Sequence, residues 1–347
     1  GLGDVYKRQG YVGLVSGACL AEKGHNVVCI DIDQGKVDKI NNAIPPIHEK
    51  GLDLILNKNA GSRLEATTNL PDTVITTDLS IIAVGTPFDG EQLDLSYIKT
   101  AAQQIGEALK NKSTYHMVVV KSTVVPGTTD DIVLPTLEKA SDKKAGQDFG
   151  VGMNPEFLRE GEAVGDFMEP DRIVLGATDK KAHRYLEKLY EGFDGIDIIK
   201  TSNKTAEMIK YASNSLLATM ISFSNEIGNL CRAIGDIDVA DVMRGIHLDK
   251  RLCPIMPSGK RITPAFTTYL EAGCGFGGSC FPKDVKALIS HGKHVSASMR
   301  ILDAVIQTNE KQPWQLISLL RKHFEIFDDL PVAVLGLAFK PGTDDMR

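Results

Sequence analysis

Long hydrophobic runs are missing from this chain. No stretch of about 18 apolar residues occurs, so no helix is expected to span a bilayer and no membrane partner is expected. Basic runs are missing as well. The 39 Lys and Arg stand against 45 Asp and Glu, a formal charge of −6, which argues against nucleic acid or an anionic lipid surface as the main partner. Cysteine is sparse and scattered, at Cys19, Cys29, Cys231, Cys253, Cys274 and Cys280. A chain of 347 residues has no need of disulfide staples, and this usage fits a reduced, cytoplasmic setting. There is no internal repeat and no low-complexity segment. Disorder is excluded by an apolar fraction of 42% against 24% charged. No metal is expected, because His291 and His294 have no third ligand close in sequence. An initiator Met is absent and Arg347 falls in mid-motif, so the expectation is a fragment at both ends. What remains is a soluble, intracellular enzyme of two or three domains.

The first half alternates short β-branched runs with amphipathic stretches, the pattern of a parallel sheet with crossover helices. Strands are predicted at Asn26–Ile30, Leu79–Val84, His116–Lys121, Gly150–Met153, Arg172–Gly176 and Ile196–Ile199. Helices are predicted at Leu14–Lys23, Ser96–Leu109, Thr128–Ala140 and Lys180–Gly192. From Ser202 the texture changes to one long helix ending near Ile234; a helix of about 33 residues is near 50 Å long and should serve as a spine. Arg251–Pro264, with three prolines, reads as an irregular excursion. Helices near Lys283–His291 and Ser298–Phe324 follow, and Pro331–Gly336 opens a further strand.

Lys7 and Arg8 before the apolar stretch Gly10–Ala21 have a superficial likeness to a signal peptide. A glycine-rich phosphate turn explains the same residues better. Gly10-Tyr-Val-Gly13 leads into a helix, as in the back half of G-x-G-x-x-G. Arg8 holds the place of the first glycine. Asn26–Ile30 gives a second strand, and Asp31 ends it 18 residues after Gly13. A carboxylate there accepts both ribose hydroxyls of NAD and repels the 2′-phosphate of NADP. Ile82-Ala-Val-Gly-Thr-Pro87 and Lys121-Ser-Thr-Val124 place small hydroxyl residues at strand ends, where ligands of such sheets sit, although such residues often serve as helix caps.

The most informative segment is Gly273-Cys-Gly-Phe-Gly-Gly-Ser-Cys-Phe-Pro-Lys-Asp284. Four glycines in six residues free the backbone beside a thiol, and Lys283 and Asp284 lie within a turn of Cys280. A thiol attacks as the thiolate, which a nearby cation or helix N-terminus favours.

With these motifs the chain resembles the UDP-glucose/GDP-mannose dehydrogenase family, and within it the UDP-glucose 6-dehydrogenases. Gly10-Tyr-Val-Gly-Leu14, Val84-Gly-Thr-Pro87, Lys121-Ser-Thr-Val124, Asn154-Pro-Glu-Phe-Leu-Arg-Glu-Gly161, Gly275–Asp284 and Gly336-Leu-Ala-Phe-Lys-Pro341 occur in family order. The resemblance implies an α/β protein. A Rossmann-like NAD-binding domain over 1–200 joins a central helical, dimerising domain with the cysteine loop over 201–305. The start of a second Rossmann-like, nucleotide-sugar-binding domain follows over 306–347. It implies a homodimer or larger oligomer through the long helix. It also implies two NAD-dependent oxidations at C6 of a nucleotide sugar, UDP-glucose to UDP-glucuronate. In that chemistry Cys280 forms a thiohemiacetal and then a thioester.

By the same resemblance Lys210 and Asn214 line the reacting carbon; their i, i+4 spacing puts them on one helix face. Asp284, Thr123 and Glu156 activate and hold water. Gly10, Gly13, Asp31, Lys36, Thr86, Thr123, Glu160, Lys283 and Arg347 serve the cofactor. Phe157, Leu158, Glu160, Tyr269, Leu270, Gly273, Gly277 and Lys340 serve the substrate, with Arg251 or Arg261 reaching a partner subunit. Residues 1–9 depart from the family and look foreign. The rival readings are a GDP-mannose or UDP-N-acetylhexosamine dehydrogenase, a 3-hydroxyacid dehydrogenase working without a thiol, and a non-catalytic nucleotide-binding fragment.

Overall fold

The computed structural model describes residues 11–324, 326, 330–343 and 345–346. Residues up to Lys210 form one compact unit and those from Tyr211 a second.

In the first unit, α1 (Tyr11–Glu22) is buried from Leu14 through Ala21 and leads into β1 (Val27–Ile30). Asp33 starts α2 (Gln34–Asn41) by accepting the N–H groups of Gly35 and Lys36, which would otherwise be orphaned at the helix end. Then come α3 (Leu52–Asn59), β2 (Leu64–Thr67), α4 (Leu70–Thr76), β3 (Leu79–Ile82), α5 (Ser96–Leu109) and β4 (His116–Val120). A π-helical turn, Thr129–Val133, runs into α6 (Leu134–Ser141). The unit continues with β5 (Phe149–Met153), α7 (Ala163–Met168), β6 (Ile173–Ala177), α8 (Lys180–Leu189) and β7 (Ile198–Thr201).

β1 pairs with β2 in parallel, and β3, β4, β5, β6 and β7 form a second sheet in that order. β4 shows why this sheet is covered twice. Met117 and Val119 enter one core with α1, α2, α3, α7 and α8, whereas Val118 and Val120 enter another with α4, α5 and α6. Successive side chains of a strand point to opposite faces, so a continuous apolar run is what a two-faced strand requires. The expected all-parallel sheet needs one correction, because β5 and β6 run antiparallel. Strand direction follows from the connection, and here 154–172 returns across a short helix.

α9 (Asn203–Ile234) is one helix of 32 residues, close to its predicted extent. The second unit adds α10 (Val239–His247), a 3-10 turn at Ala265–Tyr269, α11 (Phe281–His294) and α12 (Arg300–Leu320). Residues 251–264 are irregular, as expected, apart from an isolated bridge between Ile255 and Arg261. The strand expected at Pro331–Gly336 is not formed; Val332, Val334 and Leu335 are exposed and unpaired in the sheet sense. A strand gains its hydrogen bonds only from a neighbouring strand, and none of the described residues supplies one there. Among the described residues no helix is long and apolar enough to cross a membrane.

Candidate active site

In the first unit, the candidate side chains gather where the strands end. Asp31 follows β1, with Oδ1 accepting the Asp33 N–H at 3.0 Å and Oδ2 facing Lys36 Nζ at 3.4 Å. The loop after β3 is tied to the loop after β4. Thr86 Oγ1 donates to the Thr123 carbonyl at 2.7 Å, and Ser122 Oγ donates to the Val84 carbonyl at 2.7 Å. Gly13 lets α1 approach the end of β3, since a Cβ there would stand 3.3 Å from Ala83 Cβ. A helix start packed on a strand end, followed by a carboxylate after the next strand, is the arrangement that holds a dinucleotide. These residues fit NAD. Gly10, Arg347 and the foreign-looking residues 1–9 lie outside the described residues.

A buried ionic cluster lies beyond β4 and β5. Lys210 Nζ meets Glu156 Oε1 at 2.9 Å, with both side chains nearly inaccessible. Burial alone would protonate Glu156, but Lys210, the Leu158 N–H at 2.6 Å and the charge of Lys121 hold its pKa below the usual value. Phe157 presents its ring to two cations, Arg172 at 4.0 Å and Lys210 at 5.4 Å from the centroid. Leu158 and Glu160 are half-buried in the same segment. Lys121 is buried against neutral partners, Asn154 Oδ1 at 2.9 Å and the Tyr190 hydroxyl at 3.5 Å.

In the second unit, Cys280 is exposed and immediately precedes α11, whose first turn contains Pro282. The positive end of that helix is a setting that favours a thiolate. Cys19 and Cys29 differ: burial pushes their thiols up to about 12. Asp284 is 1% exposed and accepts from Lys283 Nζ at 2.6 Å and from Asn214 Nδ2 at 2.7 Å. The Tyr269 and Phe281 rings lie 6.3 Å apart. Leu270 is buried and its carbonyl meets His247 Nε2 at 3.2 Å. Gly273 is exposed and Gly277 half-buried, and Lys340 Nζ stands 5.9 Å from the Phe339 ring. The two candidate arginines differ. Arg261 holds the Leu248 and Cys253 carbonyls at 2.9 and 2.8 Å, whereas Arg251 is exposed and bound to Asp249.

The family description for the NAD binding domain of UDP-glucose/GDP-mannose dehydrogenases matches residues 8–194, and that for the central domain matches 204–311. The chain belongs to the UDP-glucose/GDP-mannose dehydrogenase family. It is 45% identical over 97% of its length to a UDP-glucose 6-dehydrogenase of Haloferax volcanii, covering 76% of that protein. It is 42% identical over the same share to a GDP-mannose 6-dehydrogenase of Pseudomonas syringae, covering 74%. A UDP-glucose dehydrogenase structure from Pyrobaculum islandicum superposes with a TM-score of 0.89 at 40% identity, over 97% of this chain and 74% of that one. As a member of this family the chain is an NAD-dependent nucleotide-sugar dehydrogenase.

Among the residues singled out in the sequence, the structure sets Lys210 against Glu156, Asn214 against Asp284 and Thr86 against the Thr123 carbonyl. Sequence reasoning did not foresee these pairings. It missed Lys121 as a buried charge. It also missed Glu49, which is buried and accepts from Tyr11 Oη at 2.7 Å, the Gly161 N–H at 2.9 Å and the Ala163 N–H at 2.8 Å. Glu207, wholly buried on α9, accepts the Gly127 and Thr129 N–H groups at 2.6 and 2.8 Å and was missed too. No local pattern marks these three, since each is a single charged residue buried by distant neighbours.

Proposed function

We propose that this dehydrogenase oxidises the C6 hydroxymethyl group of UDP-glucose to the carboxylate of UDP-glucuronate, holding the intermediate on Cys280. The observation that carries this is an exposed thiol at the start of α11, one turn from the buried Asp284–Asn214–Lys283 network. NAD, when bound, accepts a hydride in each of the two oxidations. Asp31, Lys36, Thr86, Glu160, Lys283 and the glycine turn hold it, with Arg347 completing the set.

The remaining chemistry belongs to the chain. Lys210, paired with Glu156, and the Asn214 amide stabilise oxyanion charge developing at C6. Cys280 Sγ adds to the aldehyde carbon, and the carbonyl oxygen takes up a proton to give a thiohemiacetal. Loss of a hydride and that proton leaves a thioester. Water, oriented by Thr123, Glu156 and Asp284, then adds to the carbonyl. The C–S bond breaks and the thiolate is restored. Phe157, Leu158, Tyr269, Leu270, Gly273, Gly277 and Lys340 line the sugar-nucleotide site, and Arg251, exposed and outward, reaches a partner subunit. Leu216, Phe223 and Leu230 are exposed on α9 at seven-residue spacing, which supports a homodimer along that helix. The setting is cytoplasmic, and the domains run 1–200, 201–305 and 306–347.

The test is stoichiometric. Two NADH should form per UDP-glucose with no free aldehyde, and Cys280→Ser should bind NAD yet stall. One NADH per sugar with aldehyde accumulating would overturn the covalent route. Because relatives named for GDP-mannose are nearly as similar, the same assay on GDP-mannose decides the sugar.

A further inference from the structure

A nucleophile carried on glycine-rich backbone is placed only if something outside the loop restrains it, because glycine loses more conformational freedom on ordering than any other residue. In the second unit that restraint comes from side-chain amides. Asn225 Oδ1 accepts the Gly273 N–H at 2.7 Å, and Gln312 Nε2 donates to the Gly273 carbonyl at 2.7 Å. Asn309 grips Phe276 on both sides: its Oδ1 accepts the Phe276 N–H at 2.7 Å and its Nδ2 donates to the Phe276 carbonyl at 2.9 Å. Gln312 is itself oriented by Asn229 Nδ2 at 3.0 Å. Asn225 and Asn229 stand one turn apart on α9, and Asn309 and Gln312 one turn apart on α12.

The Asn309 contact has the form of a strand neighbour, with one amide satisfying both backbone groups of one residue. It fixes the direction of the chain at Phe276 as well as its position. Gly275 makes room for it, with φ +93° and an ideal Cβ that would fall 2.4 Å from Asn309 Oδ1. The restraint reaches the thiol through packing. The Phe276 ring meets the Phe281 ring edge-on at 6.0 Å, and Phe281 is the residue after Cys280.

We propose that Asn309 is a positioning residue for Cys280, holding the glycine loop so that the thiol captures the aldehyde before it escapes. This rests on the reading of Cys280 as the nucleophile. A loosened loop leaves the first oxidation intact and impairs capture, so the partition of the intermediate is what changes.

The experiment uses the full chain with Asn309→Leu, which removes both hydrogen bonds at similar volume, and Asn309→Asp, which keeps the acceptor and loses the donor. NADH formed per UDP-glucose should fall from two toward one with free aldehyde appearing. The overall rate to UDP-glucuronate should drop on the order of 100-fold, the effect of misplacing a reacting group by about 1 Å. KM for NAD should be unchanged. Should Asn309→Leu fail to fold, Asn309→Asp carries the test. Two NADH per sugar and a normal rate in a folded variant would overturn the proposal. Normal turnover by Cys280→Ser would instead overturn the underlying reading of the thiol, a result separable from the first.

Discussion

Asp31, Lys121 and Glu207 are single charged residues of the first unit whose surroundings make measurable demands. A carboxylate at Asp31 opposes a 2′-phosphate; two like charges about 4 Å apart cost about 4 kcal/mol at an effective dielectric of about 20. The expected preference in kcat/KM for NAD over NADP is on the order of 100-fold or more, and Asp31→Ser should erase most of it. Burial pushes Lys121 down to about 8, with Lys210 adding to the shift and Glu156 opposing it. Between pH 8 and its ordinary 10.5 the unfolded chain holds a proton that the folded chain does not, so stability rises with pH across that window, by about 3 kcal/mol. Lys121→Met should therefore raise Tm at pH 7, and the gain should vanish by about pH 10. Glu207 has the opposite sign. Burial pushes it up to about 7 despite donors from Thr129 and Gly127, so the folded chain holds the extra proton. Stability falls as pH rises from its ordinary 4.5 to about 7. Glu207→Gln should flatten the decline in Tm between about pH 5 and pH 8; an unchanged slope would place that titration elsewhere. Asp31 was legible because a strand end at fixed spacing from a glycine turn announces it. Lys121 stands out in the sequence only as part of a motif and Glu207 carries no mark there, since burial of one charge is decided by residues dozens of positions away.

At the scale of elements, α5 and α6 touch through Gly106. A Cβ there would fall 2.6 Å from Ala140 Cβ and 3.1 Å from the Leu137 carbonyl, and neither neighbour is a flexible tip. Gly106→Ala gains about 1 kcal/mol of helix propensity yet should lower stability by about 1–3 kcal/mol through overpacking. A Tm equal to or above the parent's would show that the helices can separate at no cost. The long helix α9 was readable nearly to the residue, because 32 positions of sustained periodicity leave little ambiguity. β2 was not; Leu64–Thr67 is four residues long, and its partner β1 lies across two helices in sequence. α2, α3, α4 and α10 are short helices that rest on capping and packing rather than on pattern length. The antiparallel direction of β6 leaves no local mark either, since Ile173–Ala177 is buried at every residue and such a uniform run carries no direction.

For the whole molecule, the sequence changes texture near residue 202, just where the long helix α9 begins. Apolar runs bounded by turns gave way there to a long periodic helix. The cysteine segment and the Asn-Pro-Glu segment were legible as family motifs, whereas the amides that hold the loop lie on α9 and α12, where Asn and Gln look like ordinary surface residues. The five-stranded sheet of the first unit has one more consequence. Its strands stand in the order in which they occur along the chain, so each new strand docks beside the one synthesised just before it and no closure has to bridge the sheet. Assembly can proceed as elongation from a growing edge during translation. β4 and β5 have every residue buried, whereas β7 is the last added and is largely exposed. Amide exchange should therefore be slowest in His116–Val120 and Phe149–Met153 and fastest in Ile198–Thr201. Equal protection across the sheet would mean that it opens only as a whole.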